Sequence, residues 1–147
     1  MAQVTDREIL ETFPDAPIDH DNKEYYRGRL TRRLLLNRCS SCDTWSQPPR
    51  GLCPNCWSDD VVASEVSGDG VIYITMFLHQ GPPAPGVDYS APYPVVVVEL
   101  DEQPGLRYTA TVLGAARDDI AIGKRVRLDW IERGGEPTPV FRVVEVG

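Results

Sequence analysis

The 147-residue chain has few of the groups that catalysis most often uses. It contains two histidines and no Gly-x-Ser-x-Gly, Walker A or Gly-x-Gly-x-x-Gly motif, so the common signatures of serine hydrolases, NTPases and dinucleotide enzymes are missing. No apolar run approaches the ~20 residues that a membrane-spanning helix needs. No basic region followed by an apolar stretch marks a secretory signal. We therefore expect a soluble, cytoplasmic protein with no membrane contact.

The chain carries 15 basic and 22 acidic residues, which gives a formal charge of −7. Nucleic-acid binding depends mainly on Lys and Arg that neutralise phosphate, so this balance disfavours a general DNA- or RNA-binding protein. The segment from Arg27 to Arg50 is an exception, because it contains six arginines and a single acid, Asp43. These arginines form either a solvated face or a site for a phosphate-bearing ligand or an acidic partner, since Arg binds phosphate in bidentate geometry.

All four cysteines lie between residues 39 and 56, as two Cys-x-x-Cys pairs that are separated by ten residues. Disulfides are rare in the cytosol, and a thioredoxin-like redox site uses one such pair. Two pairs on tight turns instead match a tetrahedral metal site with four thiolate ligands. The same ligands accept zinc or iron, so a rubredoxin-like electron carrier stays an alternative to structural zinc. The predicted ligands are Cys39, Cys42, Cys53 and Cys56.

Four thiolates leave no open coordination position, so zinc at this site would be structural and would not activate water. With every cysteine bound to metal, no free thiol nucleophile remains, and we predict no catalytic residue in this chain. A left-handed residue often follows a Cys-x-x-Cys turn. Asp43 tolerates that conformation after the first pair, whereas Trp57 follows the second pair, where Gly would be easier. We expect Trp57 either to pack on the ribbon or to be presented to a partner.

Two short helices are predicted near the N-terminus. In TDREILETF (5–13), Thr5 and Glu8 have the spacing of a capping box. The second candidate, DNKEYYRGRL (21–30), has Asp19 or Asp21 near its N-cap position. Both helices are marginal by themselves in water, so they need another surface on which to pack.

After Cys56 the sequence changes to strand-like segments that are rich in Val, Ile, Tyr and Thr. A helical turn at RDDI (117–120), between the third and fourth of five long strands, predicts a Greek-key barrel of the OB type, with an irregular seven-stranded sandwich as the alternative. The domains are predicted as a helical segment at 1–33, a zinc ribbon at 34–66 and an OB-fold domain at 67–147. The predicted strands are 61–67, 70–79, 94–101, 105–114, 124–132 and 139–146.

The loop at residues 80–94 contains five prolines and two glycines and is long for a hairpin connection. Loops of this length are often functional, and in OB folds the loop between the first two strands borders the ligand face. The alternative is a Pro-rich surface loop without a function. Combining this loop, the arginine cluster and the ribbon, the candidate residues for contact with a ligand or partner are Arg32, Arg33, Arg38, Arg50, Trp57, His79 and Tyr93.

The order of these motifs resembles a bacterial and archaeal family that is described as acyl-CoA-associated and has a rubredoxin-like zinc ribbon and an OB-fold domain. The resemblance covers residues 20 to 146. It implies a mainly β fold with short N-terminal helices, a rubredoxin-like zinc ribbon and a five-stranded OB-fold barrel, and it assigns the four cysteines as metal ligands. The motifs that match, in order, are LLLNRCSSC, QPPRGLCPNC, SGDGVIYITMFLH, APYPVVVVELDE, RYTATVLG, DDIAIGKRVRLDW and PVFRVV.

Members of this family accompany thiolase-like enzymes that act on CoA thioesters, including acyltransferases and aldolases of steroid side-chain breakdown. The resemblance therefore implies a non-catalytic, zinc-binding accessory subunit in a hetero-oligomer, with acyl-CoA as a possible contact of this chain. The arginine cluster and the Pro-rich loop are compatible with such an interface. The alternative function is an OB module that binds single-stranded nucleic acid, which the negative charge disfavours.

Overall fold

The computed structural model describes residues 3–144, which form two compact units that divide after Val66. The first unit contains two helices and a three-stranded sheet, and the second contains a five-stranded sheet. Among residues 3–144, no helix is long and apolar enough to cross a membrane.

Helix α1 spans Asp6–Thr12 and begins at the predicted capping box. The Thr5 hydroxyl accepts a 3.2 Å hydrogen bond from the Glu8 backbone N–H, and the Glu8 carboxylate accepts a 2.6 Å bond from the Thr5 N–H. Two backbone donors that the helix cannot satisfy are thus paired at its N-terminus. The capping-box prediction is confirmed.

Helix α2 spans Lys23–Leu30, and Asn22 occupies its N-cap position without a side-chain capping bond. The Asp19 carboxylate accepts 2.9 Å hydrogen bonds from the N–H groups of Asp21 and Asn22, so it closes the turn that precedes the helix. Asp21 directly precedes the N-cap residue, so the predicted start of the helix is close to the observed one, although neither aspartate is the N-cap itself. An Asp in a turn readily bonds backbone N–H groups two and three residues later, and that local bond competes with capping.

The two helices pack on each other through few side chains. Ile9 and Phe13 are buried, and the Phe13 ring lies 5.0 Å from that of Tyr26. Arg27 joins the helices through hydrogen bonds to the Val4 carbonyl and the Asp6 carboxylate. These contacts supply the packing surface that short helices require.

The sheet of the first unit has the order β2-β1-β3 and is antiparallel throughout. Its central strand β1 (Leu35–Cys39) ends at the first metal ligand, and β2 is only two residues long (Trp45–Ser46). Strand β3 spans Val61–Glu65 and was predicted, whereas β1 and β2 were not. Cys39 pairs with Val61 at the start of β3, so the long loop that carries the second cysteine pair returns to the end of β1.

The second unit has the strand connectivity of an OB fold. Its curled antiparallel sheet has the order β6-β5-β4-β7-β8, and a parallel bridge between Val112 and Phe141 joins the two edges. A 3₁₀ helix, Arg117–Asp119, lies between β6 and β7, where the sequence predicts a helical turn. The OB prediction is confirmed, and the sandwich alternative is not. The strands are β4 (Asp69–Leu78), β5 (Tyr93–Leu100), β6 (Arg107–Ala110), β7 (Arg125–Arg133) and β8 (Glu136–Val143).

The core of the second unit lies on the inner face of this curled sheet. Val96, Val98 and Leu100 alternate inward along β5 and are almost fully buried. Opposite them, Phe141 is fully buried and its ring lies edge-on to Tyr108 with centroids 6.4 Å apart. The alternating buried side chains of β5 and the Tyr108–Phe141 pair together determine which face of the sheet is internal.

Candidate metal centre

The first Cys-x-x-Cys pair forms a tight turn at the end of β1. The Cys39 N–H donates to the Thr44 carbonyl over 2.9 Å, and the Asp43 N–H donates to the Cys39 carbonyl over 2.8 Å. These bonds fold the chain back so that the Cys39 and Cys42 side chains lie on one side of the turn. We name this turn, residues 39–44, the first knuckle.

The second pair repeats this bonding pattern in residues 53–58, the second knuckle. The Cys53 N–H donates to the Ser58 carbonyl over 2.8 Å, and the Trp57 N–H donates to the Cys53 carbonyl over 3.0 Å. The Asn55 N–H also lies 3.4 Å from the Cys53 sulfur, which it donates to. Two equivalent turns therefore each present a pair of sulfurs to the same point.

The residue after each pair has a left-handed backbone, as predicted. Asp43 has φ 63° and Trp57 has φ 65°. An Asp is commonly found in this region, whereas a bulky residue is a genuine outlier there. The Trp57 side chain is 75% exposed, so it does not pack on the ribbon. The sequence allowed Trp57 either to pack on the ribbon or to be presented to a partner, and the structure excludes the first.

The four sulfurs fit a tetrahedral metal ion. They all lie within 4.8 Å of one another. The Cys39 and Cys56 sulfurs are 3.6 Å apart, as are those of Cys42 and Cys53. Thiolates at about 2.3 Å from a tetrahedral zinc ion would be about 3.8 Å from each other. The cluster is therefore close to the geometry that the bound metal requires.

The electrostatics of the cluster also favour a bound cation. Hydrogen bonds to the Thr44 hydroxyl and then to the Asn55 side-chain amide lower the pKa of the Cys42 thiol to about 6. At Cys56, the Ser58 backbone favours the thiolate, but the sulfur of Cys42, desolvation and the other two sulfurs outweigh it and raise the pKa to about 12. Without a cation, the neighbouring sulfurs oppose the complete ionisation of the set, and a coordinated divalent metal removes this opposition.

Two of the four arginines that were predicted as contact residues form ion pairs within the first unit. Arg33 forms an ion pair with Glu65 at 3.1 Å. Arg38 pairs with Asp43 at 3.1 Å, and its guanidinium lies 5.7 Å from the centre of the Trp45 ring. Arg32 lies in the turn after α2 with φ 58°. The structure thus does not gather these arginines into one phosphate site.

Arg50 and Trp57 are the two predicted contact residues that the structure brings together. Both line a groove of about 600 Å³ beside the second knuckle, and Leu52 and Pro54 line it too. Leu52 is about half exposed, and Arg50 forms no ion pair with any residue in the range 3–144. The groove combines apolar side chains with an available cation.

His79 and Tyr93 lie in the second unit, at the two ends of the Pro-rich loop. The Tyr93 hydroxyl accepts a 3.0 Å hydrogen bond from Arg133, and its ring lies 6.2 Å from that of Tyr89. The Tyr89 hydroxyl in turn donates to the Pro82 carbonyl over 3.2 Å. Tyr93 therefore ties the loop to the end of β7, while His79 is exposed.

Sequence reasoning missed an apolar outer face on β4 and β5. Ile74 and Met76 are each more than 40% exposed, and they lie opposite Val97 and Val95 on the neighbouring strand. The signal in the sequence was the mainly apolar character of both strands, since an antiparallel strand with one solvated face normally alternates apolar with polar residues. This face is a second exposed apolar surface besides the groove at the second knuckle.

Comparisons with known proteins bear on both units. The sequence profile described as the ChsH2 rubredoxin-like zinc ribbon domain matches residues 27–62, and the profile described as the ChsH2 C-terminal OB-fold domain matches residues 63–130. The chain belongs to the ChsH2 family. Four thiolates accept zinc or iron, and membership of this family selects zinc, because the matched domain is a zinc ribbon. The four cysteines of this ChsH2-family chain form a structural zinc site, in which no coordination position is left for a substrate.

Solved and curated relatives agree with the family assignment. A chain of the solved "Ltp2-ChsH2(DUF35) aldolase" is 37% identical, with a TM-score of 0.75 over 87% of this chain and 98% of that one. A probable enoyl-CoA hydratase alpha subunit from Thermomonospora curvata is 40% identical over 88% of this chain and 39% of its own length. A DUF35 domain-containing scaffold protein from Methanocaldococcus jannaschii is 31% identical over 63% of this chain and 64% of its own. This chain thus spans less than two thirds of both curated relatives.

Proposed function

We propose that this chain is a non-catalytic accessory subunit of a thiolase-like enzyme that acts on CoA thioesters, and that it is needed for assembly or activity of the complex. The observation that carries the proposal is the likeness to a chain of the Ltp2-ChsH2(DUF35) aldolase, which extends over 98% of that chain. The site chemistry is compatible, because four thiolates on zinc stabilise a fold and leave no position for substrate.

The names of the curated relatives support the class of partner and substrate. The Methanocaldococcus protein is called a scaffold, and the Thermomonospora protein is called a subunit of a hydratase that acts on an enoyl-CoA. Both descriptions fit a chain that organises enzymes of CoA-thioester metabolism. The proposal includes an aldolase or acyltransferase as the partner and a contact between acyl-CoA and this chain.

The alternative of a single-stranded nucleic-acid-binding OB module has less support. Such modules combine a positively charged groove with aromatic side chains on which bases stack. Here the outer face of β4 and β5 is aliphatic around Ile74, Met76, Val95 and Val97, and the formal charge of the chain is −7. These features suit contact with protein better than contact with phosphate and bases.

The proposal is tested by affinity purification of the tagged full-length chain under native conditions, followed by mass spectrometry. We expect a thiolase-like subunit to co-purify, and one zinc ion per chain in the purified complex. The recovered subunit would then be assayed on CoA thioesters with and without this chain, and we expect activity or assembly to depend on it. Recovery without any thiolase-like protein would contradict the proposal, as would full activity and assembly of that enzyme alone. Iron in place of zinc would instead support the electron-carrier alternative.

A further inference from the structure

The two zinc knuckles are equivalent in backbone but differ in the residue at the left-handed position. In the first knuckle this residue is Asp43, which suits the conformation and pairs with Arg38 at 3.1 Å. In the second it is Trp57, at nearly the same φ. A residue with a large side chain is strained in this region, where Gly is the usual choice. The second knuckle therefore retains a residue that its own backbone disfavours.

Packing within the first unit does not compensate for this strain. The Trp57 side chain is 75% exposed and takes part in no ring stacking or side-chain hydrogen bond with residues in the range 3–144. A fully buried aromatic side chain would gain hydrophobic free energy, but an exposed one gains little. A strained residue without a stabilising role in the fold indicates a role in binding.

The neighbours of Trp57 give this surface its chemistry. We name Arg50, Leu52, Pro54 and Trp57 the knuckle tip; these residues line one groove of about 600 Å³. Trp and Arg are, with Tyr, the residue types enriched among the side chains that dominate protein interfaces. The Arg50 guanidinium forms no ion pair with the described residues, so it is available to a carboxylate of a partner.

Zinc makes the knuckle tip rigid before any partner arrives. Cys53 lies between Leu52 and Pro54, and Cys56 immediately precedes Trp57, so the metal fixes the backbone next to these three tip residues. A surface that is already ordered loses less conformational entropy on binding. The zinc ribbon thus holds an apolar anchor and a cation at fixed positions.

We propose that the knuckle tip is the anchor by which this chain docks on its thiolase-like enzyme subunit. The Trp57 indole enters an apolar pocket of that subunit, and Arg50 pairs with a carboxylate at the rim of the pocket. This inference rests on the proposed function, since it takes the partner from there. A phosphate-bearing ligand fits the tip less well, because Arg50 is its one cation and Asp21 lines the same groove.

The test uses two variants of the full chain, Trp57→Gly and Arg50→Glu, with Ile122→Ser as the matched control. Ile122 is also exposed, at 69%, but lies in the second unit. We expect Trp57→Gly to keep one zinc per chain and to unfold at the same or a higher urea concentration, because Gly adopts the required φ without strain. We expect its affinity for the co-purified thiolase-like subunit, measured by calorimetry, to fall at least about 10-fold.

Arg50→Glu should also weaken the complex and should make its affinity less dependent on salt, whereas Ile122→Ser should bind like the wild type. If the wild type binds and both tip variants bind equally well, the docking inference is wrong and the proposed function stands. If the wild type binds no thiolase-like subunit, the proposed function fails and the inference fails with it. Loss of zinc in Trp57→Gly would also overturn the docking inference, since Trp57 would then be structural. Self-association of the wild type that Trp57→Gly abolishes would overturn it too, since Trp57 would then contact a second copy.

Discussion

The two units of this chain are stabilised by different means. Among the described residues, the first unit buries few apolar side chains beside its cysteines, and the second buries about twice as many. Those of the first unit are Ile9, Phe13, Leu34, Leu36 and Val66. Those of the second are Ile72, Val96, Val98, Leu100, Leu106, Tyr108, Val112, Ile120, Val126, Val140 and Phe141. A unit of roughly 60 residues is marginal on hydrophobic burial alone, so the metal supplies what the smaller core lacks.

This difference also determines where each unit can place functional side chains. In the second unit, inward positions are occupied by the core, and only the outer face of the sheet is free. In the first unit, zinc fixes the backbone of the knuckles, so side chains such as Leu52 and Trp57 need not contribute to folding. A metal-held unit can therefore expose apolar residues at fixed positions without a core beneath them.

The largest expected effect comes from removing one zinc ligand. Cys53→Ser should release zinc and unfold the first unit, because a structural zinc site contributes about 10–16 kcal/mol of apparent binding free energy to folding. The sheet of the second unit should stay folded, and partner binding should be lost. Zinc analysis and hydrogen exchange, read separately on peptides from 34–66 and 93–100, check this. Ser40→Ala, which keeps all four thiolates, is the control. Equal loss of protection in both regions would show that the units do not fold separately.

The reverse experiment removes part of the other core. Phe141→Ala should destabilise the second unit by about 3–5 kcal/mol, because it deletes a fully buried ring that packs on Tyr108. Zinc content and the protection of the ribbon should not change. Urea unfolding followed by region-specific exchange measures both. Thr109→Ala, at an exposed position of β6, should have little effect. Release of zinc from the Phe141 variant would contradict the independence of the two units.

The sequence predicted those features that local chemistry determines. The spacing of the cysteines, the Thr5–Glu8 capping box and the helical turn before β7 each depend on residues that are close in the chain, and the structure contains all three. Strand β2 escaped prediction because it has two residues and is defined by its pairing with β1, so its pattern is too short to carry a period. Strand β1 escaped prediction because its buried positions do not alternate regularly.

The exposed face of β4 escaped prediction for a different reason. A bulge between Ile72 and Ile74 adds one residue to the strand. Ile72 is buried, and simple alternation would make Ile74 buried as well, yet Ile74 is 43% exposed. A bulge changes which side chains face inward from that point onward, and nothing in the period of the sequence records it. The pairing of the arginines was equally hidden, because Arg33 meets an acid that lies 32 residues away.

The smallest effect concerns a surface ion pair in the second unit. Arg125 binds Asp101 in bidentate geometry at 2.8 and 2.6 Å, and this hydrogen bonding lowers the pKa of the Asp101 carboxyl. A carboxyl whose pKa is lowered by folding stabilises the protein above its unfolded pKa of about 3.9, and this contribution disappears as the pH falls through the lower folded value. Because both side chains are more than 40% exposed, solvent screening limits the effect to about 1 kcal/mol or less.

Asp101→Asn should therefore lower the free energy of unfolding of the second unit by that small amount at pH 7, and the difference from the wild type should vanish at the acid end of the titration and in 1 M salt. Asp118→Asn, at an acid with no ion pair among the described residues, should show no such difference.

The first unit responds to acid for another reason, since protons compete with zinc for the four thiolates. Exchange read separately on each unit should thus show two distinct acid transitions. A loss of several kcal/mol in Asp101→Asn would mean that charge, and not the apolar core, holds the second unit together.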